Sequence, residues 1–209
     1  MKVYFSLFLL ILFSCNINVD KIQEVNMKVI NVNMSKKFVT VELLNTSETS
    51  YFITMDTTRL DGYLSFNTAL NKATHLEYDI YDGNQLISPK GEMFIFKADQ
   101  INSKVTKCFE IDTEKAKLYY EGLKELNNVI VLHPNKKKDI QIPFTLNTDL
   151  CNGNIKYDLD KNKKYFIQLN YKMNEKIIDS VASKALQQKL STTTLIPYYK
   201  NIISDKYQF

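Results

Sequence analysis

Val25-Asn26-Met27-Lys28-Val29-Ile30-Asn31-Val32-Asn33-Met34-Ser35-Lys36-Lys37-Phe38-Val39-Thr40-Val41-Glu42-Leu43 is where the chain first adopts a period of two. Met27, Val29, Ile30, Val32 and Met34 precede a polar Ser35-Lys36-Lys37 break. Phe38, Val39, Val41 and Leu43 follow it, with Thr40 and Glu42 between them. Successive side chains of a strand point to opposite faces, so alternation of apolar and polar residues marks a half-buried strand. Two such runs joined by a short polar turn predict an antiparallel hairpin.

The same signal recurs toward the C-terminus. Asn45-Thr46-Ser47-Glu48 closes the second strand and Tyr51-Phe52-Ile53-Thr54-Met55 begins another. Residues 56–74 are less regular and predict a loop region with one strand near 63–66. Leu76-Glu77-Tyr78-Asp79-Ile80-Tyr81 alternates again and stops at Asp82-Gly83-Asn84, a strong turn signal. Further strands are predicted over 92–97, 104–111 and 129–132. A helix is predicted after Thr113, with Ala116, Tyr119, Tyr120 and Leu123 at helical spacing. A turn at Pro134-Asn135 leads to alternating Ile140, Ile142, Phe144 and Leu146, and Asn152-Gly153-Asn154 predicts another turn. Residues 164–173 form the longest strand candidate of the second half. Ile177, Ile178, Val181, Ala182, Ala185, Leu186 and Leu190 form a helical stripe, and residues 198–209 predict the last strand.

Many short alternating strands separated by turns imply packed antiparallel sheets. The expected fold is mainly β: an immunoglobulin-like antiparallel β-sandwich over residues 25–209, one domain with one or two helical insertions. The strand pair ending in Asn45-Thr46-Ser47, the proline turn before Ile140-Gln141-Ile142-Pro143-Phe144, and the tyrosine-bearing 164–173 strand with the terminal Tyr199-Lys200-Asn201-Ile202-Ile203-Ser204-Asp205-Lys206 segment resemble immunoglobulin-like lipoproteins of Bacteroidota. That resemblance covers strands rather than a site, and residues 56–128 have no clear counterpart in it.

Toward the N-terminus, Lys2 precedes an apolar run from Val3 to Phe13 broken only by Ser6, which ends in Leu12-Phe13-Ser14-Cys15. A basic start, an apolar stretch of roughly 7–15 residues and a small residue before the cut define a secretory signal. A membrane-spanning helix needs about 20 apolar residues, more than this run supplies. Leu12 to Cys15 resembles the lipobox of bacterial lipoproteins, although Phe13 is larger than the pattern prefers. The resemblance implies cleavage of a signal helix over residues 1–14 and acylation of Cys15, with residues 15–24 as lipidated cysteine and polar tether. Each buried methylene contributes ~0.8 kcal/mol, and two chains suffice for stable attachment. The implied location is the bacterial cell envelope, at the outer membrane. Only Asp20 supplies the acidity that surface-exported lipoproteins of this kind carry behind the cysteine, so the face is left undecided.

With 27 basic and 23 acidic residues the net charge is +4, a near balance that does not imply nucleic acid. Cys108 and Cys151 are an even pair in an oxidising compartment, so a disulfide between them is permitted; two separately buried thiols are the alternative. The only histidines are His75 and His133, neither within a catalytic motif. Asp158-Leu159-Asp160-Lys161-Asn162 matches the first half of a calcium loop, but Lys163 stands where the turn needs Gly and Leu169 where the bidentate carboxylate belongs, so a solvated turn is expected and no metal or other cofactor. Lys136–138 and Lys161–164 fall in predicted turns, as solvated tips or as contacts for an anionic partner. The 13 tyrosines and 12 phenylalanines alternate within strands as core residues, and could otherwise supply a sugar-stacking platform. The reading is a non-catalytic binding or assembly module, held at the membrane through Cys15 and meeting a cell-envelope protein, peptide or glycan. Its rivals are a peptide-capturing inhibitor or chaperone-like module working by strand addition, and an enzyme with an unrecognised site.

Overall fold

The structure is a computed structural model that describes residues 23–55, 57, 60–62, 76–93, 106–107, 113–114, 129–150, 153–172, 188 and 191–209. The opening hairpin forms as expected from β1 (Val25–Asn33) and β2 (Phe38–Asn45). Val25, Met27, Val29, Val39, Val41 and Leu43 are all buried on one face. The adjacent Val29-Ile30 pair breaks the alternation, and the register shift between Val29 and Asn31 shows how the strand absorbs it. Ile30 is the extra residue of a bulge and turns to solvent. At the turn Lys37 takes φ 56°, and Asn33 Oδ1 accepts hydrogen bonds from Ser35 Oγ at 2.9 Å and Lys36 N at 2.8 Å.

The remaining strands are β3 (Tyr51–Thr54), β4 (Asp61–Gly62), β5 (Leu76–Asp82), β6 (Gln85–Ile87), β7 (Lys90–Met93), β8 (Val129–Leu132), β9 (Lys137–Pro143), β10 (Asn147–Leu150), β11 (Gly153–Lys156), β12 (Phe166–Tyr171), β13 (Ile196–Pro197), β14 (Ile202–Ile203) and β15 (Tyr207–Gln208). Among the described residues these strands form four sheets ordered β1-β2-β9, β13-β3-β8, β10-β11-β7 and β14-β12-β5-β4, the last with β15 on β12 and β6 on β5. The chain is thus mainly β with several antiparallel sheets, consistent with a β-sandwich.

Period two again decides which face is inside. Leu76, Tyr78 and Ile80 of β5 pair with Tyr171, Leu169 and Ile167 of β12, and all six are buried. They share one contiguous core with the inner face of the first hairpin, Ile142 and Phe144. Fully burying each large aliphatic side chain contributes about 1.5–3 kcal/mol. Rings join the layers: Tyr78 meets Phe144 edge-on at 5.0 Å, and Phe144 meets Phe209 at 6.4 Å. The Tyr171 hydroxyl donates to Thr54 O at 2.7 Å, fastening β12 to β3.

Four expectations need correction. Residues 198–209 are not one strand, because β14 pairs with Asn170 and Tyr171 while β15 pairs with Phe166 and Ile167. Ser204 lies between them, buried, donating its N–H to Leu169 O and accepting the Leu169 N–H on Oγ, both at 2.9 Å. Asp205 and Lys206 then fit two residues opposite Gln168 alone, which splits the strand. Thr106 and Lys107 are helical rather than part of a strand over 104–111. Val105, Cys108 and Phe109 stand at i, i+3, i+4 spacing, which serves a helix better than alternation does. Leu150 pairs with Gly153, so Gly153 and Asn154 begin β11 rather than turn the chain. A strand begins at Lys90, two residues before the expected start, and is described as far as Met93. Gly83 turns the β5–β6 hairpin as anticipated, with φ 60° and no atom near a would-be Cβ. Most of the first predicted helix and of the second, and the strand expected over 63–66, lie outside the described residues. Thr113, Glu114, Gln188 and Ser191 are helical where they are described.

One device links two of the sheets. β2 continues into β3 through residues 45–50, and β8 continues into β9 through residues 133–136, so a paired ribbon leaves one sheet and enters the next. Asn45, with 0% exposure, stands at that corner. Its Nδ2 donates to Thr49 O at 2.7 Å and Leu132 O at 3.0 Å, its Oδ1 accepts from Ser47 N at 3.0 Å and Ser47 Oγ at 2.8 Å, and its N–H donates to Lys136 O at 3.0 Å. Each buried group left without its partner costs about 1–3 kcal/mol. Asn45→Ala strands several at once and is expected to lower unfolding free energy in urea by about 3 kcal/mol or more. Asn26→Ala, which removes a single part-buried bond to Gln23 O, should cost no more than about 1 kcal/mol. Equal effects would show that the corner is not held by the amide.

Candidate functional site

Cys15, Cys108, Cys151 and His75 lie outside the described residues, so the lipidation site and the permitted disulfide are not placed. His133 is exposed at the corner, with Nδ1 3.4 Å from Ser50 Oγ. That separation is at the outer limit of a hydrogen bond, and Asn135 and Glu48 beside them bond each other, at 3.4 Å, rather than His133. Asp158 is held by Lys156 at 2.9 Å and Lys90 at 3.0 Å, which together keep its carboxyl below the usual range, Lys156 contributing most. Asp160 Oδ1 accepts the Asn162 N–H at 2.9 Å, so the acidic run folds into an Asx turn. Among the described residues no three His, Cys, Asp or Glu side chains converge as a metal site.

Among the described residues, a dense polar constellation receives the start of the domain. Thr46 N donates to Glu24 O at 2.8 Å, Thr46 Oγ1 reaches Gln23 O and Glu24 O at 3.2 Å, and Gln23 Nε2 donates to Asn201 O at 3.3 Å. Glu24 Oε2 meets Lys200 Nζ at 2.6 Å. That bond, helped by the Tyr51 hydroxyl, lowers the Glu24 carboxyl, and the same contact raises the Lys200 ammonium. The Tyr51 and Tyr198 rings pack edge-on at 5.0 Å beneath the pair. Tyr198 is 1% exposed; burial raises its hydroxyl, which lies near the Val25 backbone without a bond of normal geometry among the described residues. None of these partners carries a signal of its own in the sequence, where Lys200 stands 176 positions from Glu24.

A second polar surface is the outer face of β5 and β12, where Glu77, Asp79 and Tyr81 stand opposite Asn170, Gln168 and Phe166. Tyr81 donates to Gln168 Oε1 at 3.2 Å, and Lys206 Nζ lies 3.8 Å above the Tyr81 ring, occupying one face of it. Burial, and then the Glu77 charge, raise the Asp79 carboxyl, with Lys172 opposing. As for strand addition, β9 has β2 as its strand partner among the described residues. Its exposed Lys137, Lys138 and Pro143 blunt that edge. Lys137 also bonds Glu42 across the face at 2.8 Å.

No protein-family model, curated protein or solved structure matches this chain.

The raised Asp79 carboxyl fixes the sign of a pH effect. Well below the ordinary carboxylate range both the folded and unfolded states are protonated, and burial carries no charge penalty. As pH rises the unfolded state ionises first, so stability falls until the raised folded-state pKa is passed. Asp79→Asn should therefore raise the urea midpoint at pH 7, with the gain vanishing by about pH 3. A gain independent of pH would contradict the electrostatic cause.

Proposed function

We propose that the protein is a lipid-anchored, non-catalytic binding module of the bacterial cell envelope, an immunoglobulin-like sandwich held at the outer membrane through Cys15. The single observation that carries this reading is the Leu12-Phe13-Ser14-Cys15 sequence behind an apolar run. The fastening of Gln23 and Glu24 to Thr46, Lys200 and Asn201 supports it. A tether that entered a loosely attached strand would transmit no orientation to the domain. Here the last tether residues are bonded to both the corner and the segment before β14. Residues 16–22 can span at most about 25 Å when extended, so the corner is the end of the domain held toward the membrane. The turns at the other end of the sheets face outward.

The test is incorporation of a labelled fatty acid in cells producing the full chain. The parent is expected to carry label and to partition with membranes, and Cys15→Ala to lose both. Label retained by Cys15→Ala, or absent from the parent, would overturn the anchor.

A further inference from the structure

The two lysine clusters that look alike in sequence fall at opposite ends of the fold. Lys136 follows the corner, bonded through its carbonyl to Asn45 N–H. Lys161 and Lys164 belong to the turn before β12, at the other end, where Lys163 bonds Asp82 of the β5–β6 hairpin at 3.1 Å. The structure adds to this second group two residues that are distant in sequence. Lys36 and Lys37 form the β1–β2 turn, and Lys37 O accepts the Phe144 N–H at 2.9 Å. Phe144 packs on Phe209, whose backbone pairs with Tyr165, next to Lys164. Lys206, above Tyr81, lies beside the same end of β5.

Charge at this end is not balanced. Asp82 is occupied by Lys163, and Asp158 by Lys90 and Lys156. Asp160, which accepts the Asn162 N–H and keeps its charge, and Asp205 are the exposed carboxylates there without an ion pair among the described residues. Lys36, Lys37, Lys161, Lys164 and Lys206 are all exposed and make no ion pair among the described residues. These five cations on three separate turns outnumber the two unpaired carboxylates, and the net positive field attracts a polyanion.

The geometry points to an anionic polysaccharide, with carboxylate groups repeated along a chain, as the partner of this outward end. Three features select that class. Lysine ammoniums are point charges without the planar fork that suits bidentate recognition, and Arg59 is the chain's single arginine. They are spread over turns rather than along an open strand edge, so an acidic peptide gains no backbone ladder there. Tyr165 and Phe144 are buried and Lys206 occupies one face of the Tyr81 ring, so these rings offer little stacking platform to a base or a neutral sugar.

This inference rests on the binding-module reading but not on acylation, so it is tested on the full chain in neutral detergent micelles, whatever the state of Cys15. Polygalacturonate is the probe. Binding should weaken steeply with added salt, and neutral dextran should not bind. The variant Lys36→Gln, Lys37→Gln, Lys161→Gln, Lys164→Gln should weaken binding about tenfold or more, while Lys136→Gln with Lys138→Gln changes it by no more than about twofold. Unchanged melting temperatures check that both variants fold, and Lys36→Gln and Lys161→Gln singly should each give a smaller loss in the same direction. No binding by the parent, equal loss in both multiple variants, or tighter binding of polyglutamate or an oligonucleotide of equal charge would overturn it.

Discussion

A single side-chain amide, that of Asn45, governs how the sheets are joined. A strand that changes sheet must leave its ladder, and the polar groups released there are buried or half-buried. Thr49 O, Leu132 O, Ser47 N and Ser47 Oγ all find partners on Asn45, whose two donors and two acceptor sites are fully used. No other residue type of that size offers both donors and acceptors in one plane. In a low-dielectric site a fully satisfied network of this kind rigidifies, whereas a half-satisfied one destabilises. Residues 45–50 and 133–136 are unequal in length, six against four, and the amide bridges the mismatch.

The consequences of that corner extend to the N-terminal end of the domain. Thr46, immediately after Asn45, carries the bonds to Gln23 and Glu24. Tyr51, at the start of β3, packs on Tyr198 and supports Glu24. A rigid turn and a fastened N-terminal segment are therefore one structure, and the exposed Glu24–Lys200 pair on top of it contributes direction more than stability. On the proposed reading the two ends of the sheets then have different tasks: one receives the tether, and the other presents lysines outward.

What the sequence revealed follows from which interactions are local. Val39, Val41 and Leu43, then Leu76, Tyr78 and Ile80, then Ile167, Leu169 and Tyr171 alternate cleanly, and their strands lie where periodicity put them. Deviations arose where one residue breaks the period. Ile30 stands among the apolar residues of the first strand but is the exposed member of a bulge, and residues 198–209 read as one strand although Ser204 splits it. The Lys104 to Ile111 stretch fits both periods. Asn45 was legible as the end of a strand and not as a structural centre, because its partner Leu132 is 87 residues away. The same holds for the lysines: the 161–164 cluster is joined at its end of the sheets by Lys36, Lys37 and Lys206, while the 136–138 cluster lies at the corner, a division that only topology makes.

On the proposed reading the corner end is turned toward the membrane and the lysine-bearing end away from it. The chain has no tryptophan, so a single introduced indole is a clean reporter. Glu48→Trp marks the corner and Asn84→Trp the β5–β6 turn, both at exposed positions. In vesicles holding the acylated protein, lipids with a nitroxide on the headgroup should quench the indole at position 48 strongly and that at position 84 little. Equal quenching of the two, or stronger quenching at 84, would show that the corner does not face the membrane.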